Sequence, residues 1–320
     1  MRMRGTWFIV PTPFDDQGEL DLASLGRLVE ATADWGVDGL TVMGVMAEPG
    51  ALSPAERAAA LDTIFAAAAS RLPVAVGCSS AALGSTLELI GQARDLGACA
   101  AMVAAPPLLR NIDQLPAYFR QAATGGLPLV IQDEPAATGV LIPVSSLLAA
   151  AQASGSRTMK IEDPPTPAKI GRILAGDPEL DVFGGLGGVS ALGELRRGAC
   201  GTMTGFAYPE ILRGIREQVE AADLRSAGLL FDRYLPLIQF EAQQIVGLAI
   251  RKEILVRRGI FSTHRTRGLV PSLDPITLEE LGELLERLAI APRTCRNRKI
   301  EASGLTAIPQ DRCGDSFRPF

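Results

Sequence analysis

The chain has 320 residues, 47% hydrophobic and 21% charged, and its 31 Lys and Arg against 36 Asp and Glu leave a net charge of −5. This balance excludes a basic footprint for nucleic acid or an anionic membrane surface and points to a small-molecule role in a globular protein. The single histidine, His264, excludes most His-based metal sites and Ser-His or Cys-His catalysis.

The first apolar run, WFIVPT (7–12), reads as a strand, and the N-terminus has no signal-length apolar core before its prolines. DLASLGRLVEATADWG follows with apolar positions at helical spacing and a glycine stop. GLTVMG (39–44) is a second strand. SPAERAAALDTIFAAAASR then opens with a capping box, Ser53 to Glu56, and Pro54 in the first turn. The pattern continues through PVAVGC (73–78), STLELIGQARDLG, AAMVAAP (100–106) and the helical IDQLPAYFRQAATG. PLVIQDEP (128–135), TMKIED (158–163), DVFGG (181–185) and GTMTGF (201–206) complete the strands. Two helical stretches, 225–258 and 277–290, come next, and residues 291–320 lose periodicity and turn polar and basic.

Eight short strands rich in β-branched or small apolar residues, alternating with helices, predict buried parallel pairing. The expected fold is an α/β (β/α)8 TIM barrel with extra C-terminal helices. A doubly wound open sheet is the alternative, weakened by the lack of GxGxxG after the first strand. The expected organisation is a barrel over 1–224, a helical extension packed on it over 225–290, and a disordered tail over 291–320. The five cysteines (78, 99, 200, 295 and 313) are scattered and odd in number, which suits reduced thiols in a cytoplasmic protein. No apolar run reaches the roughly 18 residues of a membrane span.

Strand alternation puts Thr158, Lys160 and Glu162 on one face, and Met159, Ile161 and Asp163 on the other. With Met159 and Ile161 turned to the helices, Lys160 points into the barrel and Glu162 lies nearer the C-terminal mouth, where this fold places its active sites. Burial lowers an amine's pKa, and the free amine can capture a carbonyl as an imine. An ion pair between Lys160 and Glu162 is the plainer alternative.

From VPTPFDDQGELD through GVMAE, PVAVGCSS, APPLL, QDEPAATG, MKIED and GACGTMTGFAYPE, the chain resembles the dihydrodipicolinate synthase / N-acetylneuraminate lyase family. The resemblance runs from about Gly5 to Ile290. It implies class I aldolase-like chemistry, with Lys160 as the Schiff-base lysine and a 2-oxo acid as substrate. It also implies a homotetramer or homodimer. No cofactor and no metal are expected.

The departures reshape the site. Gly44-Val45-Met46-Ala47-Glu48 replaces the family's Gly-Thr-Thr-Gly-Glu, which removes two hydroxyls while leaving backbone N–H groups for a carboxylate. Gln132 stands where the family carries its proton-relaying tyrosine, and Leu108 or Leu109 replaces a second tyrosine. Ala137 stands where the synthases carry an arginine. Gly184–Gly188 lacks the acidic groups with which the neuraminate lyases hold sugar hydroxyls. Candidates for catalysis are therefore Lys160, Glu162, Gln132 and Asp133, with Glu134 on the inward face beside Gln132. Those for substrate binding are Gly44, Val45, Met46, Thr204, Gly205 and Gly185. Glu48 is either a cap or a loop brace. Three readings stay open: a Schiff-base aldolase or synthase acting on pyruvate or a derivative; a Schiff-base decarboxylase, dehydratase or hydratase-aldolase for a bulkier apolar substrate; and a non-catalytic ligand-binding member.

Overall fold

A computed structural model describes residues 2–69, 71–107, 109–268 and 270–290. Leu108 and the tail expected over 291–320 lie outside the described residues. The strands are β1 (Gly5–Ile9), β2 (Gly39–Val42), β3 (Val74–Gly77), β4 (Ala100–Ala104), β5 (Leu129–Asp133), β6 (Thr158–Ile161), β7 (Asp181–Gly184) and β8 (Gly201–Thr204). Each pairs in parallel with the next, and β8 returns to β1 in the register Gly5↔Gly201, so the sheet closes as a barrel. The open-sheet alternative is thereby excluded. A side chain at Gly201 would run into the Gly5 carbonyl, and one at Gly5 into the Asp38 carboxylate, so both strands carry glycine at the seam.

Among the described residues, nine helices accompany the strands: α1 (Leu22–Asp34), α2 (Pro54–Ala68), α3 (Leu83–Asp95), α4 (Leu115–Ala122), α5 (Pro135–Thr138), α6 (Val144–Ser154), α7 (Thr166–Gly176), α8 (Ala191–Leu195) and α9 (Pro209–Glu220). Three more follow: α10 (Leu224–Glu241), α11 (Gly247–Arg257) and α12 (Pro275–Arg287). The capping box read at Ser53 forms in both directions with Glu56, a device worth about 1 kcal/mol. The single helical stretch read over 225–258 is corrected to two helices. Glu241 turns its side chain inward to Arg251 and the Ala207 N–H. Ile245 adopts a left-handed φ of 71° in the break. At Gly247 a Cβ would sit 2.5 Å from the Glu241 carbonyl, so only glycine restarts the helix there.

Alternation divides the core into two shells. Trp7, Ile9, Met102, Val130, Phe183 and Met203 fill the barrel. Phe8, Val42, Val76, Ile131, Met159 and Val182 face the helices. Trp7 and Phe183 meet edge to face, with centroids 6.3 Å apart. Burying each such ring contributes about 2 kcal/mol or more. The interior is thus solid up to the level of Lys160, and the polar groups above it line the mouth.

Candidate active site

Lys160 stands on β6 between Gln132 of β5 and Phe183 of β7 in the sheet register. It faces the barrel interior and is only 2% exposed. Its Nζ lies 2.8 Å from Glu162 Oε2. Glu162 sits one residue past the end of β6 and keeps the lysine's face, as alternation requires. Room for it exists because position 185 is glycine: a side chain there would collide with the Glu162 methylene. The other Glu162 oxygen accepts from the Leu186 N–H at 3.4 Å.

Gln132 ties this pair to a third group. Its Nε2 donates to Glu162 Oε2 at 2.8 Å and to Glu134 Oε2 at 2.6 Å. Both neighbours are carboxyls, so the amide must present its NH2 end to them. Burial, with the Glu162 charge beside it, pushes the Glu134 carboxyl up to about 7 against the opposing charge of Lys160. Near neutral pH Glu134 therefore exchanges a proton readily, which the amide of Gln132 cannot do. The inward placement of Glu134 was read from its parity with Gln132; its pKa could not be, because that depends on burial.

Two candidates stand elsewhere. Asp133 points outward, fully buried behind the barrel wall, with Lys169 Nζ of α7 2.6 Å away. Lys169 also reaches Asp163 at 2.7 Å and the Ile142 carbonyl at 2.7 Å, so this cluster anchors β5 and β6 to the helix layer. Thr204 is likewise corrected. Met203 belongs to the inner shell, so Thr204 has the opposite parity, and its hydroxyl accepts from the Phe206 N–H at 3.2 Å. Gly205 regains the inward parity. A Cβ there would lie 2.7 Å from Met46 Sδ and 3.0 Å from the Ile9 carbonyl, which places Gly205 and Met46 together at the mouth.

Gly44, Val45 and Met46 form the start of a short 3-10 turn after β2. Met46 packs on the inner shell, whereas Val45 is 56% exposed. Glu48 is a brace. It is buried, adopts a left-handed φ of 51°, and receives Lys252 Nζ at 2.6 Å and the N–H groups of Arg267 and Gly268 at 2.8 and 2.6 Å. Ser79 is engaged by the Ala104 N–H, and burial pushes the Cys78 thiol up to about 12, as suits packing. Sequence reasoning missed Arg251, which reaches the mouth from α11 and touches Met46; a basic residue in a helical stretch gives no signal of that reach. Among the described residues, no group of three or more His, Cys, Asp or Glu is arranged to hold a metal ion, and no helix is long and apolar enough to cross a membrane.

Comparison with known proteins agrees with this geometry. Residues 2–288 match the Dihydrodipicolinate synthetase family. L-2-keto-3-deoxyarabonate dehydratase of Azospirillum brasilense is 32% identical over 295 residues, covering 90% of this chain and 95% of the relative. 4-Hydroxy-tetrahydrodipicolinate synthase 1 of Streptomyces coelicolor is 29% identical over 259 residues, 78% of this chain and 82% of the relative. The crystal structure of dihydrodipicolinate synthase from Rhodopseudomonas palustris superposes with a TM-score of 0.84 at 35% identity, covering 89% of this chain and 97% of that one. A closed eight-stranded barrel with a buried lysine on β6, matched over nearly its whole length, places the chain in the dihydrodipicolinate synthetase family, as a Schiff-base-forming lyase of 2-oxo acids.

Proposed function

We propose that this lyase is a dehydratase of 2-oxo-3-deoxy sugar acids, working through an imine on Lys160. The observation that carries the reading is the Gln132 amide held between Glu134 and Glu162 beside the buried amine. Two carboxyls replace the single tyrosine expected from the family resemblance, and dehydration needs two proton transfers on neighbouring carbons. The Azospirillum relative bears such a substrate and reaction in its name, L-2-keto-3-deoxyarabonate dehydratase.

The steps follow from the distances. Lys160 Nζ gives a proton to Glu162, 2.8 Å away, and adds to the C2 carbonyl; Glu162 returns that proton to the carbinolamine hydroxyl, which leaves as water, so the protonated imine forms and Glu162 is again a carboxylate. The imine is an electron sink, so the C3 proton passes to the Glu162 carboxylate and an enamine forms. The enamine expels the C4 hydroxyl, which leaves as water with a proton from Glu134. Water then adds at C2 and frees Lys160 as its ammonium, Glu162 sheds the C3 proton to solvent and Glu134 takes one back, so the net change is one water lost from C3 and C4. The turn at Gly44–Met46, with Gly185 and Gly205, forms the walls around the substrate. Ala137 on α5 offers no cation for a second substrate carboxylate, which supports dehydration over the synthase reaction.

Incubation with 2-oxo-3-deoxy pentonic and hexonic acids, followed by NMR, tests the reading. A product with the intact carbon skeleton less one water is expected; pyruvate and a free aldehyde would establish aldol cleavage in its place. A homodimer or homotetramer is part of the same proposal, supported by exposed Val45, Leu141 and Ile245; sedimentation of the full chain checks it. A reducing, cytoplasmic setting is supported by the free thiols Cys78, Cys99 and Cys200.

A further inference from the structure

Glu194 is a buried carboxyl behind the site, and the steps above make no use of it. It stands on α8, 1% exposed, outside the wall that β7 forms. The register with β6 turns Phe183 inward with Lys160 and position 184 outward with Ile161, so position 185 faces inward again. Positions 184 and 185 are both glycine, which leaves this strand end bare on both faces. Outside, Glu194 Oε2 lies against Gly184 where a side chain would begin. Inside, Glu162 Oε1 lies 2.6 Å from the place of a Cβ on Gly185. The Gly184–Gly185 peptide thus stands between two carboxyls.

Glu194 also grips the other flank of Glu162. Its Oε1 accepts from the hydroxyl of Thr166, four residues beyond Glu162 at the start of α7. On the β7 side, Glu162 Oε1 accepts from the N–H of Leu186, two residues past Gly184. One carboxyl therefore touches both segments that hold Glu162. Its Oε2 is buried and has no hydrogen-bond partner among the described residues. Such an oxygen is costly, and a glutamine would keep the Thr166 bond without a charge, so the carboxyl calls for a use of its charge. The neighbouring charged groups turn elsewhere. Lys169 of α7 meets Asp133 and Asp163, Arg197 the Gly193 carbonyl, and Asp181 of β7 Arg4. Arg213 and Arg216 of α9 meet Glu217 and Glu220, and Glu241 of α10 meets Arg251. Burial, joined by the Glu162 charge and opposed by the Thr166 hydroxyl, pushes the Glu194 carboxyl up to about 7.

We propose that Glu194 is a positioning residue for the base of this site: it fixes Glu162 through Thr166 and the Gly184–Leu186 backbone, and its charge, acting across that backbone, makes Glu162 hold a captured proton more firmly. The inference rests on the reading of Glu162 as the group that takes the C3 proton. Coupling between two sites is reciprocal, so the influence of the Glu162 charge on Glu194 is returned in equal measure. A firmer hold on the proton favours its removal from carbon, so C3 deprotonation is faster when Glu194 is ionised.

The test uses pyruvate in deuterated water, with C3 exchange followed by NMR. Pyruvate has a C3 proton and no C4 hydroxyl, so exchange reads Glu162 without the step assigned to Glu134. In Glu194→Gln, borohydride trapping at Lys160 should persist. Exchange per trapped enzyme should match wild type on the acid side and fall about three- to tenfold below it on the alkaline side, the gap opening through about pH 7. A deficit equal at every pH, or none, would overturn the inference. A second arm needs no turnover: infrared titration of the carboxyl band that Glu194→Gln removes. That band should titrate near pH 7 in wild type and lower in Glu162→Gln. A midpoint unmoved by Glu162→Gln would overturn the coupling. Exchange that survives in Glu162→Gln would overturn the base assignment itself, an outcome told apart from lost coupling because the infrared shift would remain.

Discussion

Lys160 Nζ and Glu162 Oε2 stand 2.8 Å apart with both side chains almost wholly buried. An ammonium and a carboxylate taken from water together must recover their desolvation cost from each other. In the mechanism proposed above, the same contact gives the amine a place to leave its proton.

Removal of the amine is the first check. Lys160→Ala should abolish borohydride-dependent mass addition with pyruvate in a chain that still folds, although leaving Glu162 buried without its cation lowers stability by about 3–5 kcal/mol. Adducts that persist in this variant would place the imine on another lysine.

Glu162→Gln separates proton carriage from ion pairing. As the carrier, Glu162 supplies about two to four decades of turnover, which should vanish while the imine still forms, only more slowly because Lys160 has lost its proton acceptor. As a mere partner of Lys160, it should change the pH dependence of trapping and leave turnover per trapped enzyme intact. Single-turnover kinetics beside trapping distinguish the two outcomes.

Glu134 predicts a pH profile. Its carboxyl is raised to about 7 by burial, so it holds its proton below that pH and loses it as pH rises through it. As the proton donor to the leaving hydroxyl it is competent on the acid side. The profile of kcat/KM should therefore fall above about pH 7. Glu134→Gln should erase that limb and lower the plateau by about two decades or more. A limb unchanged in the variant would assign it to another group.

Lys169 tests the cluster behind the wall. Lys169→Met leaves Asp133 buried without its cation, a change that costs about 3–5 kcal/mol. Burial already raises the Asp133 carboxyl from 3.8 to about 6, so its contribution to stability is present below the lower value and is lost as pH rises through the higher. Without Lys169 that loss extends to higher pH, and the deficit against wild type should be larger at pH 8 than at pH 5 in urea unfolding. Trapping at Lys160 should survive at low temperature.

The barrel was legible because burial on both sides of every strand demands the apolar runs that mark it, and Lys160 was conspicuous as the exception. Parity also carried Gln132, Glu134 and Glu162 to one side. Asp133 and Thr204 needed the same parity applied strictly, since a polar residue at a strand end reads like a site residue whichever way it faces. The loop-brace reading of Glu48 is met by its contacts with Lys252, Arg267 and Gly268, whose distance along the chain hides them from any local pattern. Arg251 was invisible for the same reason: its partners Met46 and Gly205 come from β2 and β8 loops, and its helix begins only where Gly247 permits.

Arg251 and Lys252, neighbours on α11, reach Met46 and Glu48, two residues apart on the turn after β2. That double stitch means the segment beyond the eighth strand is no appendage. A descendant of this chain cannot exchange its β2 turn for another lineage's without also exchanging α11. Chimeras cut between β8 and α10 should inherit a barrel and forfeit its chemistry. Substrate preference in such proteins would then be passed on as a pair of distant segments, with most of the intervening wall free to drift.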